Sequence, residues 1–423
     1  MSDTVTNGVV RDRMLSLKGI MAVSLAVTIS VTTFPARASV AMSLSGQAER
    51  TDSVPIDPEA LEALYSLDFD VARAKFQELV DQHPENPRLW NLLASSVWLK
   101  IVYEQQKLNL DSYMGNRLGG NSSNDRVSPE VEAQLREYLG KAIELSEAAL
   151  ENDAENVEAL YAKGTAYGTL ASFEATVKRA YLAANSAAKK AREAHLKVLR
   201  IDPSYNDARL TIGTYDYALG VIPGVVRFLL GFLGIWGGDK DGGIQELEYA
   251  ARLGNSNQTN AKMVLVVIYN RERQYEKSIE LLEDLHSRYP RNFLLETTKA
   301  NVYERLEMWD EAVETYETVL GKVETGENDY DRLEWEPLVF KIGEVDMKRA
   351  EWDSAKETFE SLLESDNDEV AGRAHLWIGK IYDIRGERRL AIAEYDSVLA
   401  LNASDNIRDE ARALRRRPYG ESD

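Results

Sequence analysis

The side chains in this sequence best suited to metal binding or to proton transfer near neutral pH are four histidines, His83, His195, His286 and His375. None lies three to five residues from another and no HExxH pattern occurs, so no helix face offers a zinc ion two of them. Three of them (His83, His195 and His286) fall in or near the ends of expected second helices, where packing or capping accounts for them. Asp239 and Asp241 begin like a calcium-binding loop, but no acidic twelfth ligand closes it, and the pair reads as the start of a helix. Asp366, Asn367, Asp368 and Glu369 read as an exposed acidic turn. Phosphate-cradling glycine loops and the GxSxG nucleophile turn are absent. Cysteine is absent too, which removes disulfides, thiol catalysis, cysteine-ligated zinc and a lipid-modified N-terminal cysteine together. Arg412, Arg415, Arg416 and Arg417 form a small basic group that suits the negative end of a terminal helix. The expectation is a protein without catalytic residues, metal or cofactor.

The elements that would carry these residues show a clear period. In Phe293–Gly321, Ala300 and Tyr303 lie on one amphipathic helix and Ala312, Tyr316 and Val319 on the next. Small residues at 300 and 312 let two antiparallel helices approach, and the tyrosines fill the groove against a neighbour. This spacing matches the tetratricopeptide repeat, a helix–turn–helix unit of about 34 residues. One such unit cannot bury its own apolar face, so stacked copies are expected, wound as a right-handed all-α solenoid.

Further copies follow the same rule. Ala72, Phe76, Leu79 and Pro84 keep the second-helix spacing, and Trp90, Ala94 and Val97 begin another helix. The register breaks at the Gly-, Asn- and Ser-rich stretch from Asp111 to Ser128. Ser128-Pro129-Glu130 then restarts a helix that runs to Asn152. Leu160, Gly164 and Tyr167 make a first helix. Its partner is delayed by an Ala- and Lys-rich segment, Ala171 to Arg200, ending on Ala191, His195, Val198 and Pro203. The central repeats are therefore expanded. Regular ones return with Tyr269, Ser278, Leu282 and Leu285, with Gly343, Ala355, Phe359 and Leu362, and with Gly379, Tyr382, Ala391, Tyr395 and Val398. Asp329 to Glu336 reads as an acidic loop, and 406–417 as a charged capping helix. The expected organisation is 58–258 with expanded repeats, 259–405 with regular repeats, and 406–423 as cap and tail.

One stretch departs from the period. Leu219 to Trp236 reads LGVIPGVVRFLLGFLGIW, with Arg227 as its only charge, and Gly237-Gly238-Asp239-Lys240-Asp241-Gly242-Gly243 follows. This apolar insertion, 219–243, stands where a short turn belongs. A helix after Pro223 would be apolar nearly all round and must be buried in protein or in lipid. It either folds back as internal packing or serves as a wedge for a membrane or a partner, led by Phe228, Leu229, Phe232 and Trp236. The order of glycine, proline turn, bulky apolar helix, Gly-Phe-Leu-Gly-Ile, glycine-rich turn and a helix carrying Leu247 and Ala250 resembles the hallmark segment of the inclusion-body-clearance and tetratricopeptide-repeat-39 family. It is also similar to exported bacterial repeat proteins with the same segment. The resemblance covers about 213–253, with Lys240 at the family's basic position, and implies a repeat scaffold with a link to lipid or membrane surfaces.

The N-terminus predicts export. Arg11, Arg13 and Lys18 precede an uncharged apolar run, Ile20 to Val31, which is shorter than the roughly 20 residues of a spanning helix. Pro35 and Ala36-Arg37-Ala38 follow, so 1–38 reads as a signal peptide cleaved after Ala38, with 39–57 a lead-in and the periplasm or the exterior as destination. A formal charge of −20 over 423 residues disfavours nucleic acid as a partner. The expected partner is a protein or peptide held in the concave face of the solenoid by first-helix residues Asn91, Lys163, Lys262, Lys299 and Asn301. The alternative is a membrane-peripheral protein using 221–236; the sequence leaves the oligomeric state open. Liposome flotation of residues 39–423 decides that alternative: a wedge predicts flotation that a folded Phe228→Asp/Phe232→Asp variant loses, and no flotation by either chain returns the insertion to internal packing.

Overall fold

A computed structural model describes residues 57–108, 127–222 and 237–420. The leader, most of the lead-in, most of the Gly/Asn/Ser-rich stretch and the apolar residues 223–236 lie outside them. All regular secondary structure among the described residues is helical. The chain falls into two compact units, Met1–Asn292 and Phe293–Asp423. The expected change from expanded to regular repeats at 258/259 thus lies inside the first unit.

The first unit pairs α1 (Pro58–Tyr65) with α2 (Phe69–Gln82), α3 (Pro87–Glu104) with α4 (Pro129–Asn152), and α5 (Val157–Thr176) with α6 (Tyr181–Ile201). It ends with α7 (Arg209–Gly220) on α8 (Lys240–Leu253) and α9 (Gln258–Arg271) on α10 (Tyr275–Arg288). The second unit pairs α11 (Phe293–Arg305) with α12 (Trp309–Thr325), α13 (Glu336–Lys348) with α14 (Trp352–Glu360), and α15 (Asp368–Ile384) with α16 (Arg388–Ala400). The expected cap is α17 (Asp405–Arg416).

Local sequence explains the boundaries. The side chains of Asn86, Ser128, Asn156, Asp239 and Asn367 each accept a hydrogen bond from a first-turn amide of the helix they precede. Asp239 is therefore a helix cap. Most of the short turns within a pair carry one residue with left-handed φ: Leu67, Arg179, Arg273, Glu307, Ala350 and Gly386. The segment expected to delay the partner of the 157–176 helix is itself helical. It supplies the last turns of α5, a turn at Arg179, and nearly all of α6. The expanded repeats thus consist of long helices, with 24 residues in α4, 20 in α5 and 21 in α6.

The small-and-ring pattern read from the sequence is the packing rule within pairs. A Cβ on Gly343 would lie 2.6 Å from the Phe359 ring, one on Gly379 2.5 Å from the Tyr395 ring, and one on Gly164 2.3 Å from the His195 ring. Ala300, Ala312, Tyr316 and Val319 are buried, whereas Tyr303 is only half-buried and Val302 takes the core position beside it. The stretch expected as an acidic loop, Asp329 to Glu336, overlaps a 3₁₀ turn, Glu327–Arg332. Its Tyr330 is a core residue, donating to Glu296 Oε2 at 2.6 Å, because α12 ends at a left-handed Gly326 and turns the chain back.

α7 and α8 approach backbone to backbone. A Cβ on Gly243 would sit 2.5 Å from Tyr217 N and 2.7 Å from Gly213 O, and neither backbone atom can yield. Gly243→Ala is therefore expected to destabilise the first unit by about 1–3 kcal/mol, despite alanine's helix preference of about 1 kcal/mol. Gly140→Ala in α4, with nothing within 4 Å, is expected to stabilise instead. Urea midpoints moving in opposite directions check both.

Candidate protein-binding site

Three helices of the expanded repeats enclose a surface groove of about 450 Å³. Leu150, Ala154, Leu160, Tyr167 and Ala194 contribute its apolar lining, and Glu147, Lys163, Lys190, Glu193 and Lys197 its charges. The last turns of α4, the first half of α5 and the second half of α6 meet there because the helices alternate in direction. α5 is the central helix of this arrangement, with fifteen of its twenty residues buried. Lys163 pairs with Glu147 at 2.8 Å, and Lys197 donates to the Ala154 carbonyl. The Lys190 ammonium stands 4.9 Å over the Tyr167 ring. On the far side of α6, a hollow of about 130 Å³ is lined by Lys189, Arg192, Glu193, Tyr215, Asp216 and Gly237, with Arg192 held by both oxygens of Asp216 at 3.1 and 2.9 Å.

Of the residues chosen from the sequence for the concave face, only Lys163 lines this groove. Asn91 is a correction: it is 1% exposed, and neither side-chain polar atom has a partner. It sits on α3 where that helix packs against α5, so it is closed to a partner. Lys262 is paired with Asp284 at 2.6 Å across α9 and α10. Lys299 and Asn301 belong to α11 in the second unit, where the Asn301 side chain lies 2.6 Å from the Tyr316 hydroxyl. Phe228, Leu229, Phe232 and Trp236 lie outside the described residues. Lys190, Lys197 and Tyr167 were missed as site residues. The available signal was charge: Lys178 to Arg200 holds seven basic residues and one acid in a chain of −20.

The other chemistry-bearing residues have structural partners. His375 Nδ1 lies 2.7 Å from Glu394. In the acidic turn, Asp368 accepts from Asn402 N and Glu369 from Ser404 N, tying the start of α15 to the chain before α17. Arg415 pairs with Asp396 at 2.7 Å. Among the described residues no group of three or more His, Asp or Glu is placed to hold a metal ion, and no helix is long and apolar enough to cross a membrane.

The model of the family described as Iml2/Tetratricopeptide repeat protein 39 matches residues 139–368, more than half of the chain. The chain belongs to the Iml2/tetratricopeptide repeat protein 39 family. A general tetratricopeptide repeat model matches 58–100 and 340–417, on either side of that span. No curated protein matches the chain. Among solved structures, it is similar at 16% identity to the human IFIT1 dimer with m7Gppp-AAAA, over 96% of this chain and 87% of that one, with a TM-score of 0.34. It is also similar at 16% identity to the APC/C hetero-tetramer Cut9-Hcn1, over 85% and 54%, with a TM-score of 0.40. YrrB, a TPR protein with an unusual peptide-binding site, is 16% identical over 64% of this chain and all of that one, with a TM-score of 0.29. Within the matched span, Gly213 and Gly243 let α7 and α8 touch backbone to backbone. Repeats of this class are scaffolds that bind proteins or peptides.

Between Ala194 and Lys197 in the groove wall, His195 turns into the core. Its ring stacks on Tyr161 with centroids 5.1 Å apart, and Nε2 lies 3.1 Å from the Tyr161 carbonyl. Nδ1 is buried without a partner. Burial pulls the imidazole pKa down to about 4, against the opposing carbonyl hydrogen bond. The unfolded chain therefore takes up the proton first. Stability is full above about pH 6.5 and falls as pH drops from there towards 4, by on the order of 3 kcal/mol for this group. His195→Phe, the ring type found at 359, is expected to remove that share of the slope, read as the difference between wild-type and variant urea midpoints from pH 7.5 to 5.

Proposed function

We propose that this chain is an exported, non-enzymatic scaffold that holds a protein partner through its repeats. The observation that carries the reading is the groove between α4, α5 and α6, where an apolar floor and a charged rim are set on packed helices. Such a floor with a polar rim is the usual make-up of a protein-binding surface. The export signal read in 1–38 supports the periplasm or the exterior as the location of this scaffold.

A second reading has its own observation. A Cβ on Gly220 would lie 2.3 Å from Lys240 N, and one on Gly238 2.4 Å from the Leu219 carbonyl carbon. The chain therefore leaves α7 and returns to α8 at one narrow neck, which suits use of 221–236 as a membrane-peripheral element.

The scaffold reading is tested by isolating the tagged chain from its own cells. The expected result is recovery from the envelope or medium with Ser39 at the N-terminus, together with a defined protein in constant ratio. Recovery of the chain alone after mild cross-linking would overturn it.

A further inference from the structure

We propose that the groove between α4, α5 and α6 takes an extended acidic segment of the partner protein, with two carboxylates three residues apart set against Lys190 and Lys197. This rests on the scaffold reading above and names the chemistry of the partner.

The first argument is the state of the cations. Elsewhere in the first unit many basic residues are met by acids, among them Lys178 by Glu132 at 2.6 Å, Arg209 by Glu246 at 2.6 Å and Lys240 by Glu272 at 2.6 Å. Yet Lys190 is exposed, rests on an aromatic face and has no carboxylate within ion-pair distance among the described residues. Lys197 spends one of its three donors on a neutral carbonyl and keeps two.

The second argument is spacing. Lys190 and Lys197 are two helical turns apart on one face, which separates them by about 10 Å along the axis. A polyproline-II-like segment has three residues per turn and rises about 3.1 Å per residue, so its side chains at i and i+3 face one way about 9 Å apart. The side chain at i+1 then turns towards the floor made by Leu150, Leu160 and Tyr167. The helices beneath the groove hold the two lysine backbones at this spacing, with Lys190 resting on the Tyr167 ring and Lys197 tied to the Ala154 carbonyl.

The third argument selects against other anions. Glu193 stands on α6 between the two lysines and lines the same groove. A phosphate chain, with charge at every unit, would be repelled at that midpoint. A segment with neutral residues between its carboxylates would not.

The test is fluorescence anisotropy of a labelled, end-blocked peptide carrying Asp-Leu-Phe-Glu with the full chain, beside its Asn-Leu-Phe-Gln counterpart. The acidic peptide is expected to bind, more weakly as salt is raised, and the neutral one to bind about tenfold or more less tightly. Lys190→Glu/Lys197→Glu is expected to abolish the difference and Lys190→Gln/Lys197→Gln to reduce it, with melting curves showing both variants folded. Equal binding of the two peptides, or an acidic peptide indifferent to both variants, overturns the proposal. So does lysine-dependent binding of an oligouridylate or of phosphatidylglycerol vesicles in preference to the peptide. The scaffold reading fails separately. If the charge-reversed chain still recovers the native chain's partner, the scaffold stands and the groove is wrong; if neither chain recovers a partner, the scaffold reading is wrong.

Discussion

The fold depends on one contact repeated along the chain, an aromatic ring of a second helix laid on a glycine of the first. Gly343 under Phe359 and Gly379 under Tyr395 show it at a separation of sixteen residues, and Gly164 under His195 at thirty-one. A side chain on the glycine would collide with the ring, and a smaller residue in place of the ring would leave a cavity in the centre of the pair. The contact sets how closely the two helices approach and therefore how the next pair can stack. In the expanded repeat the same contact survives an added fifteen residues. The helices grow, and the anchor stays where the repeat needs it.

Polar ties then hold helices together, both within pairs and between neighbouring pairs. Tyrosine hydroxyls donate to carboxylates in both units: Tyr217 to Glu272, Tyr269 to Glu248, Tyr316 to Glu304, Tyr330 to Glu296 and Tyr395 to Asp383. Burial, reinforced by the adjacent carboxylate, pushes the phenols of Tyr217, Tyr269, Tyr330 and Tyr395 upward, so they remain donors through the physiological range. In the first unit Asp207 gathers the amides of Asn255, Ser256 and Asn257 ahead of α9. Asn257 reaches Tyr161, Asn260 donates to Asn257, and Tyr65 from α1 donates to Asn260 at 3.0 Å. Arg291 adds an ion pair with Asp68 at 2.6 Å, and Asn292 donates to the Tyr65 carbonyl. Residues more than two hundred positions apart are thereby held in one unit, which runs to Asn292.

Most of this architecture was legible because small and aromatic positions recur at fixed spacing. Ala300, Ala312, Tyr316 and Val319 could be assigned to the core from spacing alone, as could Gly343 with Phe359 and Gly379 with Tyr395. Tyr330 could not, because its burial comes from a left-handed Gly326 and a hydrogen bond to Glu296, neither of which leaves a period in the sequence. The site was less legible for a related reason. First-helix polar residues face a partner only if the first helices line an open surface, and here α3 and α5 pack on one another. Asn91 is covered by that contact. The groove lies instead on the side where α6 passes α4, and only the run of lysines between 178 and 200 hinted at it.

The expanded repeat and the apolar insertion are one structural feature. The turns added to α5 and α6 are rich in alanine, and Ala171, Ala175, Ala184, Ala187 and Ala188 form a single core cluster with Tyr215, Leu219 and Ile222. Ile222 is the last described residue before 223–236, and Leu219 lies against Gly238 on the return. Standard-length helices would stop short of this cluster and leave the neck between α7 and α8 without a wall. Alanine suits such a wall because it favours helix and lets helices approach closely, so the wall is rigid as well as apolar. The same lengthening gives α6 the exposed face that carries Lys189 and Lys190. Extra helical turns that buttress the neck on one side thus present cations on the other, and a change in α6 that loosened its alanine face would disturb the groove and the neck together.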